Sequence, residues 1–200
     1  MEEYSKIKLT NEQINNMKFV KLIFTKEKNK HRNYFEYKTN EINIEDNWHP
    51  NDKGYKMGGF NFSVEEKAIR WLIRGDTIFD IIIPEGAEVY DCWNKSTPHG
   101  VFRSNKIILT NPRIIDDEFT MKLYKKSTIP DTSYFPILAL CAHRGFMNTA
   151  LKIYHEKVNE NTKELAIKEF KEFFEFKGDK FNLNNLNENS KQIYNLLISK

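Results

Sequence analysis

The apolar residues of this chain change period near residue 115. Between 18 and 110 they come as short runs of β-branched and aromatic residues, separated by Gly, Pro, Asn and Asp. Lys18–Thr25, Thr77–Ile83, Ala87–Trp93 and Lys106–Thr110 read as strands on that pattern. Beyond 115 the apolar positions recur every three or four residues, first as Phe119, Leu123 and Tyr124, later as Leu165, Ile167, Phe170, Phe173 and Phe174. That is the stripe by which a helix buries one side. Strands followed by helices predict the α+β class: a mixed, mainly antiparallel sheet with a packed helix, then a helical C-terminal region. The expected division is a lead segment 1–17, a mixed β domain 18–126 and a helical region 135–200.

Local signals refine this. Thr10 with Gln13 forms a capping-box pattern for one short turn through Met17, and Asn33–Lys38 reads as a return strand. The Asn- and Asp-rich stretch from Thr39 to Lys56 reads as a long loop, and ordered loops of that length are often functional. Ser63 with Glu66 predicts a helix over 64–74, packed on the sheet through Trp71 and Leu72 and stopped by Gly75. Three successive isoleucines, Ile81 to Ile83, predict a strand covered on both faces, and Asn111-Pro112 an end to the strand starting at Lys106. Asp116-Asp117-Glu118 opens a helix where its dipole favours acids. Helices follow over 137–144, closed by Gly145, then 149–158 (Ala150, Leu151 and Tyr154 inward), about 162–176 behind an Asn161 cap, and 190–199. Phe170, Phe173 and Phe174 are expected to dock on 137–154, since together they would otherwise expose a large apolar patch.

Composition narrows the setting. The 200 residues are 30% charged, with a mean hydropathy of −0.66. No apolar run approaches the roughly 18 residues of a membrane span, and the first residues lack the basic and apolar regions of a signal peptide. Two cysteines, Cys92 and Cys141, fit a reducing, intracellular location, each as a buried small hydrophobe. The 22 Asn, 25 Lys and 21 Ile against 6 Ala point to an AT-rich genome. The net charge of +3 is spread out, without the concentrated basic stripe of a nucleic-acid binder.

Catalytic signatures are absent from the sequence. The five histidines and two cysteines show no zinc spacing, there is no Gly-x-Ser-x-Gly, and the acids at 85/88 and 116–118 read as turn and cap residues. We expect no catalytic residues, metal or cofactor. Gly58-Gly59 reads as a close backbone approach beside the core in preference to a phosphate loop.

Five segments occur in a telling order: Phe35-Glu-Tyr37, Met57-Gly-Gly-Phe-Asn-Phe-Ser-Val64, Ile69 to Gly75, Ile81-Ile-Ile-Pro84 and Ser104-Asn-Lys-Ile-Ile-Leu109. The set resembles the N-terminal domain that precedes ankyrin repeats in giant-virus (mimivirus-type) proteins, over residues 18–126. Ala142-His-Arg-Gly145 with Ala150-Leu151 is similar to the middle of one ankyrin repeat, but no second copy follows at a 33-residue period. The resemblance implies an intracellular viral interaction module with a protein partner; the short apolar runs lead us to expect no membrane partner.

Within such a module the loop 39–56 is the candidate surface. Trp48 and Tyr55 stand in it as aromatics in a polar stretch, and hot spots favour Trp and Tyr. The alternative for Trp48 is a lid folded onto the sheet. Two other functions are weighed. An enzyme similar in architecture to ADP-ribosyltransferases would use Arg32, Tyr34, Tyr55 and Glu88 on a nicotinamide nucleotide, although the Ser-Thr-Ser and Glu-x-Glu signals are missing. A nucleic-acid or ribonucleoprotein binder would stack bases on exposed aromatics beside lysines.

Overall fold

The computed structural model describes residues 5–25, 35–93, 100–175 and 180–199. Among them, eight strands form one sheet: β1 (Ser5–Lys8), β2 (Phe19–Ile23), β3 (Ile42–Ile44), β4 (Phe60–Val64), β5 (Thr77–Ile82), β6 (Val89–Trp93), β7 (Phe102–Ser104) and β8 (Lys106–Ile114). Their order is β1-β6-β7-β4-β2-β5-β8-β3. Every neighbouring pair is antiparallel, so the parallel component of the expected mixed sheet shrinks to a single bridge, Thr39 to Leu109. Alternation along the strands gathers Phe19, Phe60, Phe62, Phe79, Ile81, Val89, Phe102, Ile107 and Leu109 into one core. Phe19 meets the rings of Phe62 and Phe102 edge-on at 5.2 and 5.0 Å, a favoured aromatic geometry.

The helices are α1 (Asn11–Asn15), α2 (Asp117–Lys126), α3 (Tyr134–Arg144), α4 (Met147–Lys157), α5 (Lys163–Glu175) and α6 (Glu188–Ile198). The α+β class is therefore established. Thr10 and Gln13 close the expected capping box on α1, and Asp116 caps α2 by accepting from Phe119 N at 2.8 Å. Gly145, at φ +80°, ends α3 in the left-handed conformation that glycine adopts without strain. Phe173 and Phe174 pack edge-on against His143 of α3 at 6.2 and 5.7 Å, while Phe170 turns to Tyr194 of α6 at 5.6 Å. On α4 the fully buried residues are Thr149, Ala150 and Ile153; Leu151 and Tyr154 are only half-buried.

Two compact units divide the chain: 1–68 with 74–114, and 69–73 with 115–200. The expected helix 64–74 is corrected on three counts. It is a 3-10 helix, Glu65–Arg74, and Val64 ends β4 opposite Phe19. The Ser63 hydroxyl donates to Gly100 O at 2.9 Å and caps nothing, while Glu65 N is held by Lys18 O at 3.1 Å. Tertiary bonds have taken the groups that would have opened an α-helix. The tight winding aligns Ile69 and Leu72, three apart and both fully buried, and their segment groups with the helical unit. Trp71 is half-buried, and Leu72 O accepts from Arg144 at 2.9 Å.

Other expectations shift as well. Ser5–Lys8, placed in a lead segment by sequence, is an edge strand paired with β6. Residues 35–38 carry no strand; Phe35 and Tyr37 instead pack against Phe60 at 4.8 and 5.7 Å. Asn33 and Tyr34 of that expected strand lie outside the described residues. β8 runs through Asn111-Pro112 because its pairing steps from Asp80–Thr110 to Ile78–Arg113, leaving a bulge. A bulge needs no N–H from Pro112, and Asn111 supplies the positive φ of 49°. Finally, the isoleucine run is not covered throughout: Ile81 is buried, but Ile82 is 52% exposed.

Candidate protein-binding loop

The stretch 39–56 is ordered by a succession of short-range and cross-strand bonds. Asn40 N donates to Leu109 O at 2.8 Å, three residues of β3 then pair with β8, and Glu45 N donates to Asn105 O at 2.9 Å. The expected loop thus begins with an edge strand. Asn43, at its centre, is buried; its side chain exchanges bonds of 2.8 Å with Lys38 N and O and so holds the preceding segment in place. The chain then doubles back: His49 N donates to Met57 O at 2.9 Å, Gly59 N to Asn47 O at 3.1 Å, and Trp48 bridges Gly58.

This return needs glycine at both 58 and 59. A Cβ on Gly58 would lie 1.7 Å from Asn47 O, and one on Gly59 would lie 2.4 Å from the Trp48 ring. Both residues have positive φ, +67° and +77°. The pair is the close backbone approach expected from the sequence.

Trp48 is half-buried and folded back. Its Nε1 donates to Glu88 Oε2 at 3.0 Å, and its ring lies 5.9 Å from that of Tyr90 on β6. Glu88 also forms an ion pair with Lys8 of β1, and its backbone N donates to Asn105 Oδ1 at 3.0 Å. Lys8 above all, and the Trp48 bond next, hold the Glu88 carboxyl below the usual carboxylate range. Lys6 reaches from β1 to the carbonyls of Pro50 and Asp52, the latter at 3.1 Å. Arg103 Nη1 donates to Gly58 O at 2.8 Å. The loop is therefore clamped along its length.

Tyr55 is the exception. It lies in a 3-10 turn, Gly54–Met57, and is 96% exposed, the one strongly exposed aromatic among the described residues. Two residues on, Met57 is fully buried against Cys92, sulfur to sulfur at 3.7 Å. Met57 anchors the turn and Tyr55 projects from it. Of the two candidate residues, then, Trp48 holds the loop and Tyr55 presents it. The anchors Lys6, Lys8, Met57 and Arg103 escaped the sequence reading, because each acts on a partner 35 or more positions away.

Four residues were weighed for nucleotide chemistry. Arg32 and Tyr34 lie outside the described residues, Tyr55 is at the loop tip, and both Glu88 oxygens are engaged. Among the described residues no three His, Cys, Asp or Glu converge as metal ligands. Cys92 and Cys141 are both buried, and burial pushes the Cys141 thiol far above its ordinary range. No helix among the described residues is long and apolar enough to cross a membrane.

The chain matches no family model, no curated protein and no solved structure.

Proposed function

We propose that this chain is a non-enzymatic protein-interaction module of viral origin, working inside the cell, which engages its protein partner through Tyr55 and the loop around it. The observation that carries this reading is the pairing of a clamped loop with one fully presented tyrosine. A side chain held out on an ordered turn meets its partner without the entropy cost of ordering the loop. Tyrosine adds a large apolar face and a hydroxyl at the cost of two torsions. A base-stacking surface, by contrast, calls for several aromatics beside a basic groove.

The test is affinity capture from source cells with quantitative mass spectrometry, comparing wild type, Tyr55→Ala and a remote surface control, Lys122→Ala. A hot-spot tyrosine is worth about 2 kcal/mol, roughly 30-fold in Kd. A partner retained by Lys122→Ala and lost by Tyr55→Ala, with unchanged far-UV circular dichroism, supports the reading. Trp48→Ala, which releases the clamp, should weaken the same capture. Turnover of a nicotinamide nucleotide that disappears in Glu88→Gln would replace this reading with the enzymatic one.

A further inference from the structure

The two edges of the sheet are built differently. β1 carries Lys6 and Lys8 around Ile7, and lysine on an edge strand discourages further pairing. β3, the opposite edge, has no lysine from 41 to 46 and exposes Ile42 and Ile44 at 52% and 51%. Among the described residues its backbone is half used. Glu45 N donates to Asn105 O, and antiparallel bonding alternates, so Asn43 also faces β8 while the N–H and C=O of Ile42 and Ile44 point to the open edge.

The side chains continue a stripe. Ile42 is opposite Ile108, and Ile108 is opposite Ile82, which is 52% exposed. Three adjacent strands thus place isoleucine in one row on one face, ending at the open edge. On the other face of β3, Asn43 is flanked two residues away on each side by acids, Glu41 and Glu45, with Asp46 next in sequence. Lys38 contacts Glu41 at 3.7 Å, and Lys106 stands behind the edge, opposite Ile44 on β8.

We infer that β3 accepts an extended peptide as a ninth strand, antiparallel to it, with the pattern basic–apolar–polar–apolar–basic. The apolar pair lies beside Ile42 and Ile44 and lengthens the isoleucine row; the basic pair lies opposite Glu41 and Glu45; the polar residue faces Asn43. Strand addition of this kind takes its affinity from backbone bonds and its selectivity from alternate side chains. A second copy of this chain is the poorer occupant. The one register that sets Ile42 and Ile44 of one copy against Ile44 and Ile42 of the other also sets Glu41 directly against Glu45, and like charges directly opposite are destabilising.

This inference rests on the proposed interaction role but not on Tyr55. The probe is a fluorescein-labelled peptide, Ser-Lys-Ile-Thr-Ile-Lys-Ser, titrated with the full chain and read by fluorescence anisotropy. Binding is expected to saturate, to weaken as salt is raised, and to survive Tyr55→Ala. Ile44→Pro removes an outward N–H that the native sheet does not use, so the fold should tolerate it; affinity should fall about tenfold, the scale of one well-formed bond. Glu41→Gln with Glu45→Gln leaves the strand intact and should weaken binding while flattening the salt dependence. Equal binding of Ser-Glu-Ile-Thr-Ile-Glu-Ser, unchanged binding by folded Ile44→Pro, or no binding to folded wild type overturns the inference. So does a dimer in sedimentation velocity that Ile44→Pro dissolves, because the edge is then occupied by a second copy. If the peptide fails but partner capture still depends on Tyr55, only the strand-addition inference falls.

Discussion

Lys21 is a residue whose charge the fold opposes. It lies on β2 opposite Phe79, a core residue, and its ammonium is 5.3 Å from the centre of the Tyr37 ring while donating to Asn61 O. Burial lowers its pKa from 10.5 to about 8. The same surroundings push the Tyr37 hydroxyl upward, through burial first and the Glu45 charge second. The sign of the Lys21 effect follows from linkage. Its folded pKa lies below the unfolded value, so between about 8 and 10.5 the unfolded chain holds more protons and stability rises with pH. Below about 8 both states are protonated and the whole penalty is present. Lys21→Met should flatten the rise of unfolding free energy across that window, measured by urea titration at several pH values. An unaltered slope would show that the Lys21 ammonium is fully hydrated in the folded protein.

At the scale of elements, ends are held by partners from elsewhere in the chain. The N-terminus of α4 has no side-chain cap of its own. Asp117, in the first turn of α2, takes that place: its carboxylate accepts from Asn148 N at 2.8 Å, Thr149 N at 3.0 Å and the Thr149 hydroxyl at 2.8 Å. A carboxylate there meets both the unpaired amides and the positive end of the helix dipole. Asp117→Ala should cost about 1–2 kcal/mol, in the range of a lost N-cap. Asp117→Asn, which keeps one acceptor oxygen, should recover part of it. Equilibrium denaturation of the three proteins checks the order. If the alanine variant is as stable as wild type, α4 does not depend on α2 for its cap.

For the whole molecule, the notable feature is that one unit borrows a segment from within the other. Residues 69–73 lie in sequence between β4 and β5 yet group with 115–200. In that helical unit Phe170 is fully buried, against Phe174 at 5.2 Å and Tyr194 at 5.6 Å. Phe170→Ala should cost about 3–5 kcal/mol through lost burial and the cavity left behind. Local opening follows cooperative units and not chain order. Amide exchange should therefore quicken in 69–73 together with α3, α5 and α6, ahead of β2 and β5. Exchange in 69–73 that tracks the strands instead would place the segment in the first unit.

The fold class, four of the eight described strands and all five C-terminal helices were legible in the sequence, because period, caps and turn residues are local signals. Thr10 with Gln13, Asp116 and Gly145 each act within a few residues of where they stand. What depended on distant groups was not legible. β1 and β3 are three or four residues long, too short for alternation to show, and exist because β6 and β8 bond to them. Residues 65–74 carry a sound helical pattern, and it was overruled where Lys18 O and Gly100 O claimed the bonds of its first turn. The loop 39–56 could be marked as the candidate surface from its composition and its two aromatics. Which aromatic is presented could not be read there, since Trp48 is turned inward by Glu88, forty positions along the chain, and Tyr55 is turned outward by the burial of Met57 beside Cys92. Local propensity is written in neighbouring residues; the fate of a side chain is decided by whichever remote group can satisfy it, and only the folded chain brings that group within reach.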